Sequence, residues 1–284
     1  MIRILVPYDF SESAQNALDF AIGLTKNYPK MEILVLHIIE TPLSTGIGAM
    51  GGGLDPIPDF ESQVFFVELM ESRKAQFERL RKDYASEPFE LVTKIEIGNI
   101  YRGISENIHK SQIDLVVMGS RGSSGLDEVL IGSNTEKVVR TATCPVITIK
   151  EKTDVSQLKK VVFASDFKES DQEVAGRFKK MQSMFDAEFY FVYINTPGNF
   201  ETSRESMNRI RKFVQTHKFE HVKAEIYNSI SEEEGILQFA EDIQADMIAI
   251  TTHGRSGFLH LITGSIAEDV VNHSKRPVWT FKSK

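Results

Sequence analysis

Cysteine is almost absent from this sequence of 284 residues, which contains a single one, Cys144. One thiol cannot form a disulfide within the chain and offers no cysteine pair for a zinc site, so both are excluded as sources of stability. Long apolar runs are missing as well. No stretch approaches the roughly 20 apolar residues of a membrane-spanning helix, and the first residues show no signal-peptide pattern. We therefore expect a protein that folds around a hydrophobic core in the cytoplasm, without membrane contact.

An excess of positive charge is also lacking. Lys and Arg number 33 against 40 Asp and Glu, which gives a net charge of −7 and a pI of about 5.6. Such a chain does not attract polyanions as a whole, so nucleic acid and anionic membranes are not expected as partners. With 41% hydrophobic residues and a mean hydropathy of −0.20, the composition is typical of a folded, water-soluble protein.

The sequence contains two copies of one plan. The segment around Asp9 has a counterpart around Asp166, 157 positions later, whereas the stretch 122–133 returns as 254–265, 132 positions later. The two offsets differ by 25, so the first copy is longer by that number of residues. Two units of this size indicate a duplicated domain rather than a solenoid, whose repeats are shorter and more numerous.

The surplus of the first copy falls mostly in residues 41–63, a stretch rich in glycine and proline that we predict to be a loop. It begins close to the ligand site expected below, so it could cover a bound ligand; a plain insertion is the alternative. The boundary between the copies falls in the polar stretch 150–157. We expect domains at residues 1–150 and 157–284. The glycine-rich motif described below is intact in the first domain and degenerate in the second.

Short runs rich in Val, Ile and Leu alternate with segments of helical spacing. In the first copy these runs are 2–6, 33–39, 91–97, 115–118 and 146–149. This alternation predicts an α/β fold with right-handed crossovers and a parallel sheet covered by helices on both faces. Ligands of such sheets bind beyond the carboxyl ends of the strands, where the strand order reverses.

An Asp stands directly after the first strand of each copy, Asp9 in the first and Asp166 in the second. A carboxylate at this place can accept hydrogen bonds from sugar hydroxyls or base amines. It can equally stabilise the exposed amides at the start of the following helix. The residues alone leave both interpretations open.

The fourth strand of the first copy ends at Met118 and leads through a glycine-rich loop to a helix start. Backbone amides exposed by glycines, together with the positive end of a helix dipole, favour a phosphate group. The alternative is that the glycines turn the chain and Ser133 caps the helix. Repetition of the spacing in the second copy favours the phosphate site. The residues that offer amides, hydroxyls or charge are Gly119, Arg121, Gly122, Gly132, Ser133, Asn134 and Thr135.

The motif Gly119-x-x-Gly122-x9-Gly132-Ser133 resembles the nucleotide-binding signature of the universal stress protein family. The stretch 6–11 resembles the opening strand of that family, and 144–146 resembles a further hallmark before the last strand. The resemblance covers both copies. It implies two tandem Rossmann-like domains of the adenine nucleotide alpha hydrolase-like type, each with five mostly parallel strands, and ATP binding in many members.

The resemblance also implies roles for single residues. Asp9 would hold the nucleoside, with Pro7 beside it at the strand end, and the backbone at Ile38 would contact the adenine. Met118 and Gly119 would wall the base and ribose. The phosphates would be bound by Gly122, Gly132, Ser133, Asn134 and Thr135, with Arg121 as an additional contact. Mg²⁺ would bridge phosphate oxygens rather than occupy a protein cage.

The second copy departs from this pattern. It carries Thr251 in place of the first glycine of the motif, Ala164 in place of Pro7 and Ile250 in place of Met118. A β-branched residue takes a positive φ poorly and places a Cβ where the ribose would lie. We therefore expect ATP to bind the first copy and to bind the second more weakly or not at all. The matching residues that remain are Asp166, Gly254, Gly264 and Ser265.

The sequence leaves three functions open. The first is an ATP-dependent switch or scaffold in stress response and signalling. The second is a scaffold that acts on unidentified protein partners without nucleotide, and the third is a slow ATPase or self-phosphorylating enzyme. No P-loop and no nucleophile-elbow motif occurs, so no catalytic residue is predicted.

Two surfaces, the last strand of each copy and the basic residues from 73 to 82, are candidates for protein contacts. Family members commonly dimerise through the last strand, so the resemblance implies an intramolecular pseudo-dimer of the two copies, with a homodimer also possible. The basic residues between Arg73 and Lys82 alternate with acidic ones, which predicts a solvated helix face rather than a partner site.

Overall fold

The computed structural model describes residues 1–28, 30–40, 60–120, 131–167, 172–253 and 265–283. The strands of the first copy are β1 (Ile2–Pro7), β2 (Met31–Ile39), β3 (Glu90–Ile97), β4 (Leu115–Gly119) and β5 (Val146–Ile149). Its helices are α1 (Glu12–Thr25), α2 (Phe60–Asp83), α3 (Ile100–Lys110) and α4 (Ser133–Thr141). The strands of the second copy are β6 (Lys160–Ala164), β7 (Glu188–Asn195), β8 (Val222–Asn228), β9 (Met247–His253) and β10 (Val278–Ser283). Its helices are α5 (Gln172–Gln182), α6 (Ser203–His217), α7 (Glu232–Asp242) and α8 (Ser265–His273).

The strands form a single sheet in the order β3-β2-β1-β4-β5-β10-β9-β6-β7-β8. All described pairings within a copy are parallel, and the two copies join through an antiparallel pairing of β5 with β10, in which Trp279 lies opposite Ile147. The predicted fold class is confirmed. In each copy the strand order reverses beside the first strand, between β1 and β4 or between β6 and β9, and this reversal opens a crevice at the carboxyl edge of the sheet.

One face of the sheet carries a hydrophobic core that runs through both copies. The other face carries two cores, one of first-copy residues and one of second-copy residues together with Ile131. Alternation along β1 explains the division, because Ile4 and Val6 point into the shared core and Leu5 points to the opposite face. Helices α1 and α5 both contribute to the shared core, and the ring of Phe20 in α1 lies 6.5 Å from the ring of Phe185, which follows α5. The two copies are therefore one packed unit on this face.

The connection between the copies is packed rather than loose. Its short 3-10 turn, Val155–Gln157, is followed by Leu158, and both Val155 and Leu158 are buried in the shared core. Val155 lies against α1 at Gly23, where an added Cβ would be 2.8 Å from Val155 Cγ2. The connection thus fixes α1 against the second copy.

The predicted loop at 41–63 was too long at its end. Residues 41–59 lie outside the described ranges, but Phe60 already begins α2, so 60–63 belong to a helix. No glycine or proline occurs from Phe60 to Asp83, so nothing in this stretch interrupts a helix.

Four of the five helices whose cap residue is described begin at a capping side chain. Ser11, Asn99, Thr202 and Ser231 each accept a hydrogen bond from the third amide of the helix that follows, which are α1, α3, α6 and α7. Helix α4 differs because Gly132 stands at its cap position and has no side chain to accept such a bond. The first-turn amides of α4 are therefore left for another acceptor.

Candidate functional site

The crevice between β1 and β4 brings together residues that are far apart in the sequence. Pro7 ends β1, Asp9 follows two positions later, and Met118 and Gly119 end the neighbouring strand β4. The Met118 side chain is buried in the core of the α3 and α4 face, whereas Pro7 and Asp9 are partly exposed. The strand ends therefore lie together, as predicted.

Asp9 is tied to the start of α1. Its Oδ1 accepts hydrogen bonds from the Ser11 amide at 3.0 Å and from the Ser11 hydroxyl at 2.5 Å. Ser11 Oγ in turn accepts from the Ala14 amide at 3.2 Å, which caps the helix. One carboxylate oxygen of Asp9 thus orients the first turn of α1, and this contact also holds the carboxylate in place at the crevice.

The residue after each Asp has an unusual backbone. Phe10 has φ of +65° and its counterpart Phe167 has φ of +53°, values in the left-handed region that bulky residues rarely adopt. The turn directs the Phe10 ring inward, where it lies 5.0 Å from the His37 ring and 5.3 Å from the Phe77 ring, measured between centroids. The repeated Asp-Phe pair in the sequence was the available signal for this turn.

Gly119 is required by a close approach and not by its backbone angle. A Cβ at this position would lie 2.3 Å from Ser13 Oγ and 2.8 Å from the Ser13 carbonyl group. The expectation that this glycine needs a positive φ is wrong, because among the described glycines that conformation belongs to Gly98. A Cβ at this position was expected to lie where the ribose binds; in the structure it would meet Ser13 of α1.

The second copy fills the matching place with hydroxyl groups. Thr251 is buried, and its hydroxyl donates to Ser165 Oγ at 3.2 Å. Ser165 occupies the position of Tyr8 and also accepts from the Phe167 amide at 3.2 Å. The two crevices therefore differ in shape and polarity where their first and fourth strands end.

The start of α4 faces the end of β4. The Gly132 amide donates to the Ser120 carbonyl at 2.8 Å, and the Thr135 hydroxyl donates to the Gly119 carbonyl at 3.0 Å. Thr135 is buried, whereas Ser133 is exposed and Asn134 partly exposed. Ser133 is the first residue of the helix rather than its cap, so the alternative reading of Ser133 as a capping residue does not hold.

Asn272 of the second copy is hydrogen-bonded to the segment that leads into α4. The Ile131 amide donates to Asn272 Oδ1 at 3.0 Å, and Lys150 Nζ donates to the Asn272 carbonyl. Beside this contact, Arg140 forms a bidentate ion pair with Glu268, at 2.7 and 2.8 Å. These contacts link α8 to α4, to the residue before its cap and to the residue after β5, across sequence separations above 100 residues, and nothing in the sequence pattern pointed to them.

Ile38 lies near the carboxyl end of β2, where α3 packs closely. A Cβ on Gly103 would lie 2.6 Å from Ile38 Cδ1, and the matching glycine of the second copy, Gly235, approaches Ile194 Cγ2 in the same way, at 2.5 Å. Both glycines let the helix rest on the end of the second strand. The end of β2, whose backbone is expected to contact a base, is therefore fixed by the packing of α3 against Ile38.

His37 precedes Ile38 and is buried under the aromatic cluster around Phe10. Burial lowers the pKa of His37, against a smaller opposing effect of its hydrogen bond to the Tyr8 carbonyl. The imidazole is therefore neutral near pH 7. Its Nδ1 lies 2.7 Å from that carbonyl, which accepts only, so Nδ1 carries the hydrogen.

Arg73 of helix α2 was predicted to lie on a solvated helix face together with the other basic residues of that helix. Lys74, like the basic residues from 79 to 82, is exposed as predicted. Arg73 is different, because it is partly buried and its guanidinium carbon lies 4.6 Å above the centre of the Phe10 ring. Its Nη1 donates to Gln76 Oε1 at 2.8 Å.

Several predicted residues lie beyond what the structure describes. Arg121 and Gly122 of the first copy and Gly254 and Gly264 of the second fall outside the described ranges. Ser265 begins α8, and Asp166 follows β6 by two positions, as Asp9 follows β1. Their roles stay predictions.

The described ranges hold neither a cluster of metal ligands nor a helix that could span a membrane. No group of three or more His, Cys, Asp or Glu side chains there is placed to hold a metal ion. None of the helices in those ranges combines the length and the apolar content needed to cross a bilayer.

A sequence profile of the universal stress protein family matches residues 1–150 and again residues 157–282. The chain therefore belongs to the universal stress protein family, as its motifs predicted. Among its relatives, a universal stress protein of Methanocaldococcus jannaschii is 28% identical over 159 residues, covering 53% of this chain and 95% of the relative. Universal stress protein YxiE of Bacillus subtilis is 27% identical over 148 residues, covering 52% of this chain and 98% of the relative.

Solved structures extend the likeness to both copies. The structure of a universal stress protein from Archaeoglobus fulgidus aligns with 99% of this chain and 96% of its own, with a TM-score of 0.73 and 22% sequence identity. At this identity the match shows the fold, including the succession of the two copies in one chain.

Proposed function

We propose that this protein binds ATP at the carboxyl edge of the first copy's sheet and acts in the cytoplasm as a nucleotide-dependent switch or scaffold in stress response and signalling. The observation that carries the proposal is the start of α4. It lies beside the end of β4, has Gly132 in place of a capping side chain, and presents its first-turn amides near the crevice. Amides of this kind, together with the helix dipole, are suited to phosphate oxygens.

The remaining residues of the site are assigned to the two ends of the ligand, the nucleoside and the phosphates. Asp9 carries a negative charge, which disfavours phosphate and suits ribose hydroxyls or the adenine amine. We assign the nucleoside to Asp9 and the backbone at Ile38, and the phosphates to Ser133, Asn134 and Thr135. Mg²⁺ would be held by the phosphates and water, in keeping with its preference for such ligands.

The first copy is favoured over the second by the shape of the crevice. In the first, Gly119 lets the start of α1 approach the strand end at Ser13, whereas in the second the Thr251 hydroxyl donates a hydrogen bond to Ser165. We therefore expect one strong nucleotide site in the chain, with the second copy weaker or inactive. Protein partners, whether a second copy of this chain or another protein, would then respond to the state of that one site.

The test places a carboxylate where the phosphates are expected. Ser133→Glu adds a negative charge at the first position of α4, where it interacts favourably with the helix dipole but repels phosphate. ATP binding by the full chain, measured by calorimetry, should be lost, while the melting temperature without ligand stays the same or rises.

The matched control is Ser203→Glu, which puts the same exposed residue at the first position of α6. ATP binding should be unaffected there. If Ser133→Glu and Ser203→Glu bind ATP equally well, or if the unmodified chain binds none, the proposed function is wrong.

A further inference from the structure

The two copies place an arginine at matching positions of α2 and α6. Arg73 and Arg209 each stand four residues before a buried phenylalanine, Phe77 or Phe213. Arg73 covers the ring of Phe10 at 4.6 Å, and Arg209 covers the ring of Tyr193, the counterpart of His37, at 4.8 Å. Both guanidinium groups therefore lie over aromatic rings near the carboxyl edge of the sheet.

The two arginines differ in how their charge is neutralised. Arg209 Nη1 lies 2.6 Å from Glu201 Oε1, an ion pair between two partly exposed side chains. No carboxylate in the described ranges pairs with Arg73, whose bonded partner is the neutral amide of Gln76. The second copy thus supplies its own anionic partner, and the first copy does not.

The Arg73 guanidinium is also fixed in place, although not all of its hydrogen-bond donors have an acceptor in the described ranges. The Phe10 ring sets its plane and Gln76 holds Nη1, while Nε is buried without an acceptor in the described part of the chain, as is Nε of Arg209. A guanidinium donates hydrogen bonds and accepts none, and a buried donor without an acceptor is unfavourable. Because Nε is enclosed in both copies, the donor that a ligand acceptor can reach is Nη2 of Arg73, which makes no hydrogen bond within the described ranges.

The position of Arg73 decides which part of a ligand it meets. It lies over Phe10, which follows Asp9 in the chain, and the Phe10 ring lies 5.0 Å from the ring of His37, which precedes Ile38. Asp9 and the backbone at Ile38 are assigned to the nucleoside, and the phosphates are assigned to the start of α4. The part of the ligand beside Arg73 is therefore the nucleoside, whose ring nitrogens are acceptors.

We propose that Arg73 is a ligand-binding residue of the first copy, which donates to an acceptor of the nucleoside, and that Glu201 keeps Arg209 from the same role in the second copy. This inference rests on the proposed nucleotide site and adds to it a residue that determines which base is accepted. It also gives a second reason, independent of Thr251, for unequal binding by the two copies.

The experiment measures adenosine, ADP and ATP binding by the full chain and by Arg73→Gln. The variant should bind all three more weakly by a similar factor, roughly tenfold, which corresponds to one lost charged hydrogen bond. Arg209→Gln is the matched control, because it removes the same group from the same place in the second copy, and it should leave all three affinities unchanged.

A second measurement separates ligand contact from a structural role. Adenosine is compared with its 1-deaza, 3-deaza and 7-deaza analogues, each of which lacks one ring acceptor. The unmodified chain should discriminate against one analogue, and Arg73→Gln should lose that discrimination. Unchanged discrimination, unchanged affinity, or a loss confined to ATP would overturn the role of Arg73 while leaving the nucleotide site in place. Absence of binding by the unmodified chain would instead refute the proposed function itself.

Discussion

Gly119 at the end of β4 and Ser13 in the first turn of α1 leave no room for a side chain between them, since a Cβ on Gly119 would lie 2.3 Å from Ser13 Oγ. This contact joins the two strand ends that form the crevice, because Ser13 belongs to the turn that Asp9 orients through Ser11. The shape of the candidate site therefore depends on one missing Cβ.

Gly119→Ala should lower the free energy of unfolding by about 1–3 kcal/mol, the usual effect of overpacking, and should weaken ATP binding by moving the start of α1. Chemical denaturation and calorimetry measure both effects. Gly176→Ala is the control, since its added Cβ meets nothing within 4 Å and lies inside α5. It should stabilise the protein by about 0.5–1 kcal/mol. Equal stability of the two variants would contradict the close contact.

Asn272→Ala should weaken ATP binding from a distance. The substitution removes the acceptor of the Ile131 amide, directly before the cap of α4, and an amide left without a partner costs about 1–3 kcal/mol. We expect ATP affinity to fall about fivefold or more, because the helix start loses its support from the second copy. Arg140→Gln breaks the neighbouring surface pair, worth at most about 1 kcal/mol, and should leave ATP affinity unchanged. Equal ATP affinity of Asn272→Ala and the unmodified chain would show that α8 does not support the site.

Asp114 should make stability depend on acid pH. Burial alone raises the pKa of Asp114, but hydrogen bonds from Lys180 and from the Arg3 amide outweigh it and hold the pKa below its ordinary value. A lowered folded-state pKa gives stability that is present above the unfolded pKa of about 3.9 and is lost as the pH falls through the folded-state pKa. The melting temperature of Asp114→Asn should therefore lie below that of the unmodified chain at pH 7 and approach it near pH 3. A constant difference across this range would show that the carboxylate is not the stabilising form.

Cys144 should be inert in the folded protein. Burial raises the pKa of its thiol to about 12, and the side chain is 3% exposed. Relative to an ordinary thiol of pKa about 8.5, the reactive thiolate is scarcer by roughly a thousandfold near pH 8. A thiol reagent should modify Cys144 slowly in buffer and rapidly in concentrated guanidinium. Rapid modification in buffer would mean that the core around β5 opens easily.

The repeated plan made much of the fold predictable. Buried strands such as 146–149 are short apolar runs, and the Asp-Phe pairs at Asp9 and Asp166 mark where the first strands end. Local pattern thus indicated the parallel sheet and the residues at its carboxyl edge. The family motif then pointed to the start of α4.

Contacts between distant residues could not be predicted in this way. Ile131 and Asn272 are 141 residues apart, and nothing in either neighbourhood specifies the other. Arg73 stands among other basic residues of α2, so its place over Phe10 follows from the orientation of the helix and not from composition. The need for glycine at 119 likewise comes from Ser13, more than 100 residues away.

The most direct test of the account is the stoichiometry of ATP binding to the full chain, measured by isothermal titration calorimetry with Mg²⁺ present. We predict one strong site per chain, which disappears in Ser133→Glu and persists in Ser203→Glu. Two equivalent sites per chain, or one strong site that survives Ser133→Glu, would contradict it.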